Sequence, residues 1–187
     1  EAENWVMAIG EFTNAIQVNP DDADAYNNRG AAYYNLAQYQ TAINDYTKAI
    51  QIDPDYADAY FNRGVAYRHL GQYQRAIQDL DRAIQLDPDD GLHYYSRGNA
   101  YSDLGEYQRA FQDSDKAIRL NPDFASAYNS RGRAYGALSQ YQLAIKDYNK
   151  AIQLDPGAPW TYFYRGDAYF ALGQYIKANA DKAKACR

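Results

Sequence analysis

Residues 23–56 read ADAYNNRGAAYYNLAQYQTAINDYTKAIQIDPDY, and residues 57–90 read ADAYFNRGVAYRHLGQYQRAIQDLDRAIQLDPDD. The two stretches hold the same residue types at most places, 34 residues apart. The same spacing separates five of the six prolines: Pro20, Pro54, Pro88, Pro122 and Pro156. A fixed period of this length is typical of repeat architectures. The chain of 187 residues therefore divides into copies of one structural unit.

Four complete copies follow one another at 23–56, 57–90, 91–124 and 125–158. Residues 1–22 correspond to the second half of an earlier copy, and residues 159–187 to a partial terminal copy that stops before its proline. We expect a single solenoid over 1–187, because one copy cannot bury its faces without neighbours. Since Glu1 enters the repeat at its middle, we also expect the chain to be an excerpt of a longer protein.

The spacing within each copy is helical, because small and aromatic residues recur every three or four places. A small residue followed by a polar one, such as Ala37-Gln38, divides the run, and the residue before each proline ends it. Each copy thus predicts a helix–turn–helix. Eleven helices are expected, near 4–18, 23–36, 39–52, 57–70, 73–86, 91–104, 107–120, 125–138, 141–154, 160–172 and 175–186. We expect helix caps from the aspartates after the prolines: Asp21, Asp55, Asp89 and Asp123.

A column is the set of residues that hold the same place in successive copies. Two of the columns are charged. An arginine precedes the repeat glycine, at Arg29, Arg63, Arg97, Arg131 and Arg165, and an aspartate follows 16 residues later, at Asp45, Asp79, Asp113, Asp147 and Asp181. The two residue types occur together in every such copy. We therefore interpret them as ion pairs between the two helices of a copy, rather than as an anion-binding row.

The composition and the motif content exclude several classes of protein. A formal net charge of −5, without a basic stripe, argues against nucleic-acid binding. No apolar run predicts membrane insertion, and with no signal segment a cytoplasmic location is favoured. The single Cys186 and the distant His69 and His93 do not predict a metal site. No catalytic triad order, phosphate loop or dinucleotide fingerprint is present, so we predict neither enzyme activity nor a cofactor.

The sequence resembles the tetratricopeptide repeat family. The resemblance rests on the 34-residue period, the aromatic pair that begins at Tyr26, the small residues Gly30, Ala42 and Ala49, and the closing Pro54. It covers essentially the whole chain, although the family prefers a large apolar residue where this chain has arginine before the glycine. The resemblance implies an all-α, right-handed superhelical solenoid with a concave groove for peptides or proteins. It implies no chemistry and no cofactor.

The resemblance also implies that the first helix of each copy lines the groove. There, short amides and hydroxyls form a column that could bind a peptide backbone: Asn28, Asn62, Ser96 and Ser130. With neighbouring aromatic and polar residues, the candidate site contains Asn27, Asn28, Tyr34, Phe61, Asn62, Arg68, Tyr95, Ser96, Asn99, Asn129, Ser130, Arg133 and Phe163. The alternative is a solvated polar face. In this family a carboxylate clamp that binds chaperone tails uses lysines on the first helices. This chain lacks those lysines, because Asn27 holds one of the lysine positions and Asp58 holds another.

The hypothesis that follows is a non-catalytic protein–protein interaction scaffold, which binds an extended protein or peptide ligand of unknown identity. One alternative is a self-assembly module. In it, the face of the first helix that carries Trp5 and Phe12 pairs with its equivalent in a homodimer, because an uncovered apolar face attracts a partner. A further alternative is a recruiting or regulatory segment of a larger multidomain protein.

Overall fold

A computed structural model describes residues 2–186, and every regular element in that range is an α-helix. The helices fall into two compact units, one ending at Asp89 and one beginning at Asp90. The first unit contains α1 (Ala2–Val18), α2 (Ala23–Asn35), α3 (Tyr39–Ile52), α4 (Ala57–His69) and α5 (Tyr73–Leu86). The second contains α6 (Gly91–Asp103), α7 (Tyr107–Leu120), α8 (Ala125–Ala137), α9 (Tyr141–Leu154), α10 (Pro159–Ala171) and α11 (Tyr175–Ala185).

These helices agree with the predicted ones to within two residues at each end, which confirms the all-α helical-repeat fold class. Within each unit every helix packs against the next one along the chain. The first helices of successive copies also contact each other, α2 with α4 in the first unit, and α6 with α8 and α8 with α10 in the second. Each unit therefore presents a surface formed by first helices alone. The continuous solenoid over 1–187 stays a prediction.

The glycine column lets the two helices of a copy approach closely. A Cβ atom on Gly30 would lie 2.7 Å from Cε1 of Tyr46, and one on Gly132 would lie 2.6 Å from Cε1 of Tyr148. Both tyrosine rings are buried, so neither can move aside freely. The facing alanines of the second helices, such as Ala42 and Ala144, are fully buried. Small residues at these places thus set the distance between the helices.

The arginine and aspartate columns form ion pairs, as predicted. In each of the five pairs the arginine Nε and Nη2 donate to the two carboxylate oxygens over 2.6–2.9 Å. The aspartates are buried, whereas the arginines are partly buried. The hydrogen bonds to Asp45 raise the pKa of Arg29 above its ordinary value, and those to Asp147 do the same for Arg131. Both arginines therefore stay charged at physiological pH.

Four of these arginines also reach the preceding copy. Nη1 of Arg29 donates to Oγ1 of Thr13 over 3.2 Å, and Nη1 of Arg63 donates to Oγ1 of Thr47 over 3.1 Å. Arg131 and Arg165 bond Asp115 and Asn149 in the same way. Tyrosines of the same first helices lie 5.5–5.9 Å from the guanidinium carbons, within the range of a cation–π contact. Each of these arginines thus joins a helix pair to the copy before it.

A left-handed residue ends each first helix of the five later copies. The residues with positive φ are Ala37 (57°), Gly71 (72°), Gly105 (79°), Ser139 (60°) and Gly173 (72°). The next N–H then bonds back to the helix, as Gln38 N does to the Tyr33 carbonyl over 2.9 Å. This arrangement satisfies carbonyls that the helix end leaves unpaired, and it explains why small residues occupy the column.

The predicted helix caps are wrong by one residue. The caps with a side-chain hydrogen bond are Asp22, which accepts from Ala25 N, and Asp90, which accepts from Leu92 N. Asp21 instead donates its own N–H to Oδ1 of Asn19 over 3.3 Å, and Asp55, Asp89 and Asp123 make the equivalent bond. The Asx side chain before each proline fixes the following aspartate inside the turn, so the cap position is the residue after that aspartate.

Candidate peptide-binding surface

The candidate residues of the first unit lie on α2 and α4. Asn28 is exposed, Asn62 is partly buried, and Asn27 is buried with 7% of its surface exposed. Nδ2 of Asn62 donates to Oδ1 of Asn27 over 3.0 Å, and Nδ2 of Asn27 donates to Oη of Tyr56 over 3.4 Å. Tyr56 Oη donates in turn to Asp24 over 2.6 Å. Asn27 therefore links two copies, and the bond to Asn27 uses the amide nitrogen of Asn62.

Aromatic residues flank this polar row in the first unit. The Tyr34 ring lies 5.4 Å from His69 and 5.3 Å from Tyr39 in edge-on contacts, and the Tyr39 and His69 rings stack at 5.0 Å. Burial raises the pKa of Tyr34 above its ordinary value. Phe61 and Arg68 are partly buried on α4. The candidate side chains of this unit thus combine apolar rings with amides, which is what an extended peptide requires.

In the second unit, hydrogen bonds again join first helices of successive copies. Ser130 Oγ donates to Oδ1 of Asn99 over 2.9 Å, and Nδ2 of Asn129 donates to Oγ1 of Thr161 over 2.6 Å. Ser96 and Asn99 are buried, with 8% and 7% exposure. A ligand can reach Ser130 and Asn129 more easily than it can reach Ser96 and Asn99.

A cavity of about 400 Å³ opens on this first-helix surface. Four of the candidate residues line it: Tyr95, Asn129, Ser130 and Arg133. Trp160, Thr161 and Tyr164 also belong to its wall. The sequence places these three on the first helix of the last copy, but it does not indicate that they share a cavity with α8. Trp160 is 68% exposed and contacts Phe163, which is 38% exposed, edge to face at 6.2 Å.

The two residues expected to mediate self-association lie on α1. Trp5 is 38% exposed, and Phe12 is partly buried. Val6 and Met7 are more exposed than either, at 60% and 62%. The spacing of aromatic residues did not indicate these two positions, because the helical period places them beside the aromatic stripe and not on it.

Two further findings concern the part of the chain that the structure describes. No group of three or more His, Cys, Asp or Glu side chains there could hold a metal ion. Among the described helices, none combines the length and the apolar character needed to cross a membrane.

Solved structures with the same fold are numerous. The crystal structure of MamA is 29% identical, with a TM-score of 0.74, and the match covers 84% of this chain and 92% of MamA. YrrB, described as a TPR protein with an unusual peptide-binding site, is 24% identical with a TM-score of 0.73, over 93% of this chain and 90% of YrrB. The Cut9–Hcn1 hetero-tetramer of the APC/C matches at 20% identity and a TM-score of 0.88, over 99% of this chain and 36% of that one. The last two likenesses concern the fold alone.

A comparison with curated proteins finds no match. Models of the tetratricopeptide repeat match residues 23–52, 57–90 and 80–112. A further TPR repeat model matches residues 4–36, 38–71, 98–139 and 132–173. These matches span most of the sequence and agree with the period, the helix pairs and the close glycine contacts. The chain belongs to the tetratricopeptide repeat family.

Proposed function

We propose that this chain is a non-catalytic scaffold that binds an extended peptide or protein segment on the first-helix surface of its repeats. Membership in the tetratricopeptide repeat family supports a general protein-binding role. The observation that carries the finer proposal is the cavity of the second unit, which four candidate residues line on that surface. Its volume lies in the range of protein sites that hold small ligands or single side chains.

The polar side chains of the surface suit a peptide backbone. Asn62 and Asn129 each use one side-chain N–H in a bond to a neighbouring copy, which fixes the side-chain rotamer. Their carbonyl oxygens then face a ligand without the entropic cost of ordering a free side chain. An extended segment offers one N–H and one C=O per residue, and so it can both donate to and accept from such amides.

The test is selection from a random peptide library, followed by affinity measurements on variants of the 187-residue chain. We expect Asn62→Ala or Asn129→Ala to weaken a selected ligand by about 1–3 kcal/mol, the cost of leaving a ligand group unsatisfied. Gln78→Ala is the matched control, because Gln78 is exposed on the second helix α5. Ligands that bind equally well after combined changes at Asn28, Phe61, Asn62 and Asn129 would contradict the proposed surface.

Self-association is a second candidate, and it rests on the exposed apolar residues of α1. Trp5, Val6 and Met7 lie on consecutive positions, and all three are exposed. A two-fold contact would bury the same face of both copies. We expect the mass from sedimentation equilibrium to rise with concentration, and Trp5→Ser with Met7→Ser to abolish the rise. The control is Trp160→Ser, which removes an exposed indole from α10. A constant monomer mass at high concentration would exclude this candidate.

A further inference from the structure

Arg133 is a half-buried arginine without an acidic partner. The other four copies hold Ala31, Val65, Asn99 and Asp167 at its place, so the cation belongs to one copy only. Among residues 2–186 no side chain or carbonyl forms a hydrogen bond or an ion pair with Arg133. Its guanidinium lies 5.2 Å from the centre of the Tyr164 ring. This contact orients the guanidinium. It leaves the N–H donors free, because a ring face does not form hydrogen bonds with them.

The acidic groups around Arg133 are engaged elsewhere. Oδ1 of Asp155 accepts from Gly157 N over 3.0 Å, and Oδ1 of Asp167 pairs with Nζ of Lys182 at 2.9 Å. Burial raises the pKa of the nearby Tyr148 well above its usual range, so this phenol stays neutral. The positive charge of Arg133 is therefore not compensated by a direct contact. A half-buried cation of this kind favours an anionic ligand.

Arg133 also separates two cavities of the second unit. The first is the cavity lined by Asn129, Ser130 and Trp160, and the second has a similar volume of about 400 Å³. Arg133 and Tyr164 belong to the walls of both. Tyrosines dominate the second cavity, where Tyr107, Tyr141 and Tyr148 join Tyr164.

A glycine accounts for the space in the second cavity. At the place of Gly136 the other copies have Tyr34, Arg68, Ser102 and Phe170. A Cβ atom on Gly136 would meet only the Tyr148 hydroxyl, at 3.8 Å. No packing contact therefore requires glycine here, unlike Gly132 one turn earlier. The missing side chain leaves a space that aromatic rings largely line, with Arg133 and Asp167 also in its wall.

We propose that Arg133 binds a carboxylate of a partner peptide, while a neighbouring apolar side chain of the same peptide enters the tyrosine-lined cavity beside Gly136. The inference rests on the proposed peptide-binding function and specifies its ligand class. A planar guanidinium can hold a carboxylate through two parallel hydrogen bonds, and the contact with the Tyr164 ring restricts where the guanidinium can lie. The carboxylate belongs either to an Asp or Glu side chain or to the C-terminus of the partner.

The probes are synthetic eight-residue peptides on a Gly/Ser background. One carries Leu-Glu with an amidated C-terminus, one carries Leu-Gln with an amidated C-terminus, and one carries Leu-Gln close to a free terminal carboxylate. Binding is followed through the indole N–H signal of Trp160, which lines the first cavity. The chain has two tryptophans, so the spectrum of Trp5→Phe assigns the signals.

We expect at least one carboxylate peptide to bind at least about tenfold more tightly than the amidated Leu-Gln peptide, as expected for a charged hydrogen-bonded pair. Arg133→Met should abolish this preference, because methionine keeps the apolar stem but carries no charge. Gly136→Tyr should weaken the binding of the Leu peptides. It should leave unchanged the binding of an analogue in which Gly replaces the Leu of the Leu-Glu peptide. Lys146→Met is the control: it removes the same charge from an exposed position of α9, outside both cavities.

Which peptide gains affinity identifies the source of the carboxylate. Equal affinity of all three peptides, or a preference that survives Arg133→Met, would overturn the assignment of Arg133. In that case binding that still depends on Asn62 or Asn129 leaves the proposed function intact. If no peptide shifts the Trp160 signal and the library selection also yields no ligand, both the inference and the proposed function fail.

Discussion

The pair formed by Arg63 and Asp79 offers a quantitative test of how the repeats are held together. Nε and Nη2 of Arg63 lie 2.7 and 2.8 Å from the two Asp79 oxygens, and Nη1 donates to Thr47 of the preceding copy. The Arg63 and Asp79 side chains are 16% and 10% exposed. The pair thus connects α3, α4 and α5 from a largely desolvated position.

Removing one partner leaves the other charge buried without compensation. The cost of breaking a buried pair in this way is about 3–5 kcal/mol. For Asp79→Ala we expect the lower end, about 3 kcal/mol, because Arg63 keeps its bond to Thr47 and some contact with solvent. Arg63→Ala should cost about 4 kcal/mol, since it also removes the cation–π contacts with Tyr60 and Tyr67. The double variant should cost at least about 2 kcal/mol less than the sum.

The assay is urea denaturation of the full chain, followed by far-UV circular dichroism, with hydrogen exchange of the amides of α4 and α5 to localise the effect. Exchange is needed because repeat arrays can unfold in more than one step. The matched control is Lys146→Ala, which removes an exposed basic side chain from the second helix α9. Additivity of the two single changes to within about 0.5 kcal/mol would refute the direct ion pair.

Three further substitutions test the packing. Ala37→Gly should stabilise the chain by about 0.5–1 kcal/mol, since its φ of 57° costs an L-residue more than glycine; an unchanged or lower urea midpoint would contradict this. Ser114→Ala should stabilise by about 1 kcal/mol, because the fully buried Ser114 hydroxyl has no hydrogen-bond partner; a loss of thermal stability would show that the hydroxyl is satisfied. Gly132→Ala should destabilise by about 1–3 kcal/mol through its clash with Tyr148, whereas Gly136→Ala should not; equal urea midpoints for the two variants would contradict the close approach.

The repeat and the helix pairs follow from the sequence because they depend on local spacing. A period of 34 residues with aromatic and small residues at helical intervals defines two helices, whatever surrounds them. The ion pairs could also be predicted, since Arg29 and Asp45 recur together in every later copy at the same separation. The repeated copies can be compared with one another within this single sequence. A residue type that returns five times at one place has the same structural task in each copy.

Two features are harder to predict from the sequence: the residue that caps each first helix, and the hydrogen bond from each arginine to the preceding copy. Whether Asp21 or Asp22 caps α2 depends on the hydrogen bond from Asp21 to Asn19, a matter of turn geometry. The acceptor of Arg29 in the preceding copy is Thr13, while Arg131 bonds Asp115. The column that holds these acceptors varies in residue type. Its common property is the ability to accept a hydrogen bond, and that property becomes recognisable only when the copies are stacked.

The sequence by itself determines which side chains share the first-helix face, because helical periodicity places them there. Only the tertiary structure decides which of them a ligand can use. Neighbouring copies bury Asn27 and Asn99 in hydrogen bonds between helices, although both are amides on the same first-helix face as the exposed Asn28. The same packing leaves Arg133 unpaired between two cavities. Burial and charge compensation are properties of atoms brought together from different copies, and a one-dimensional pattern contains no distances between them.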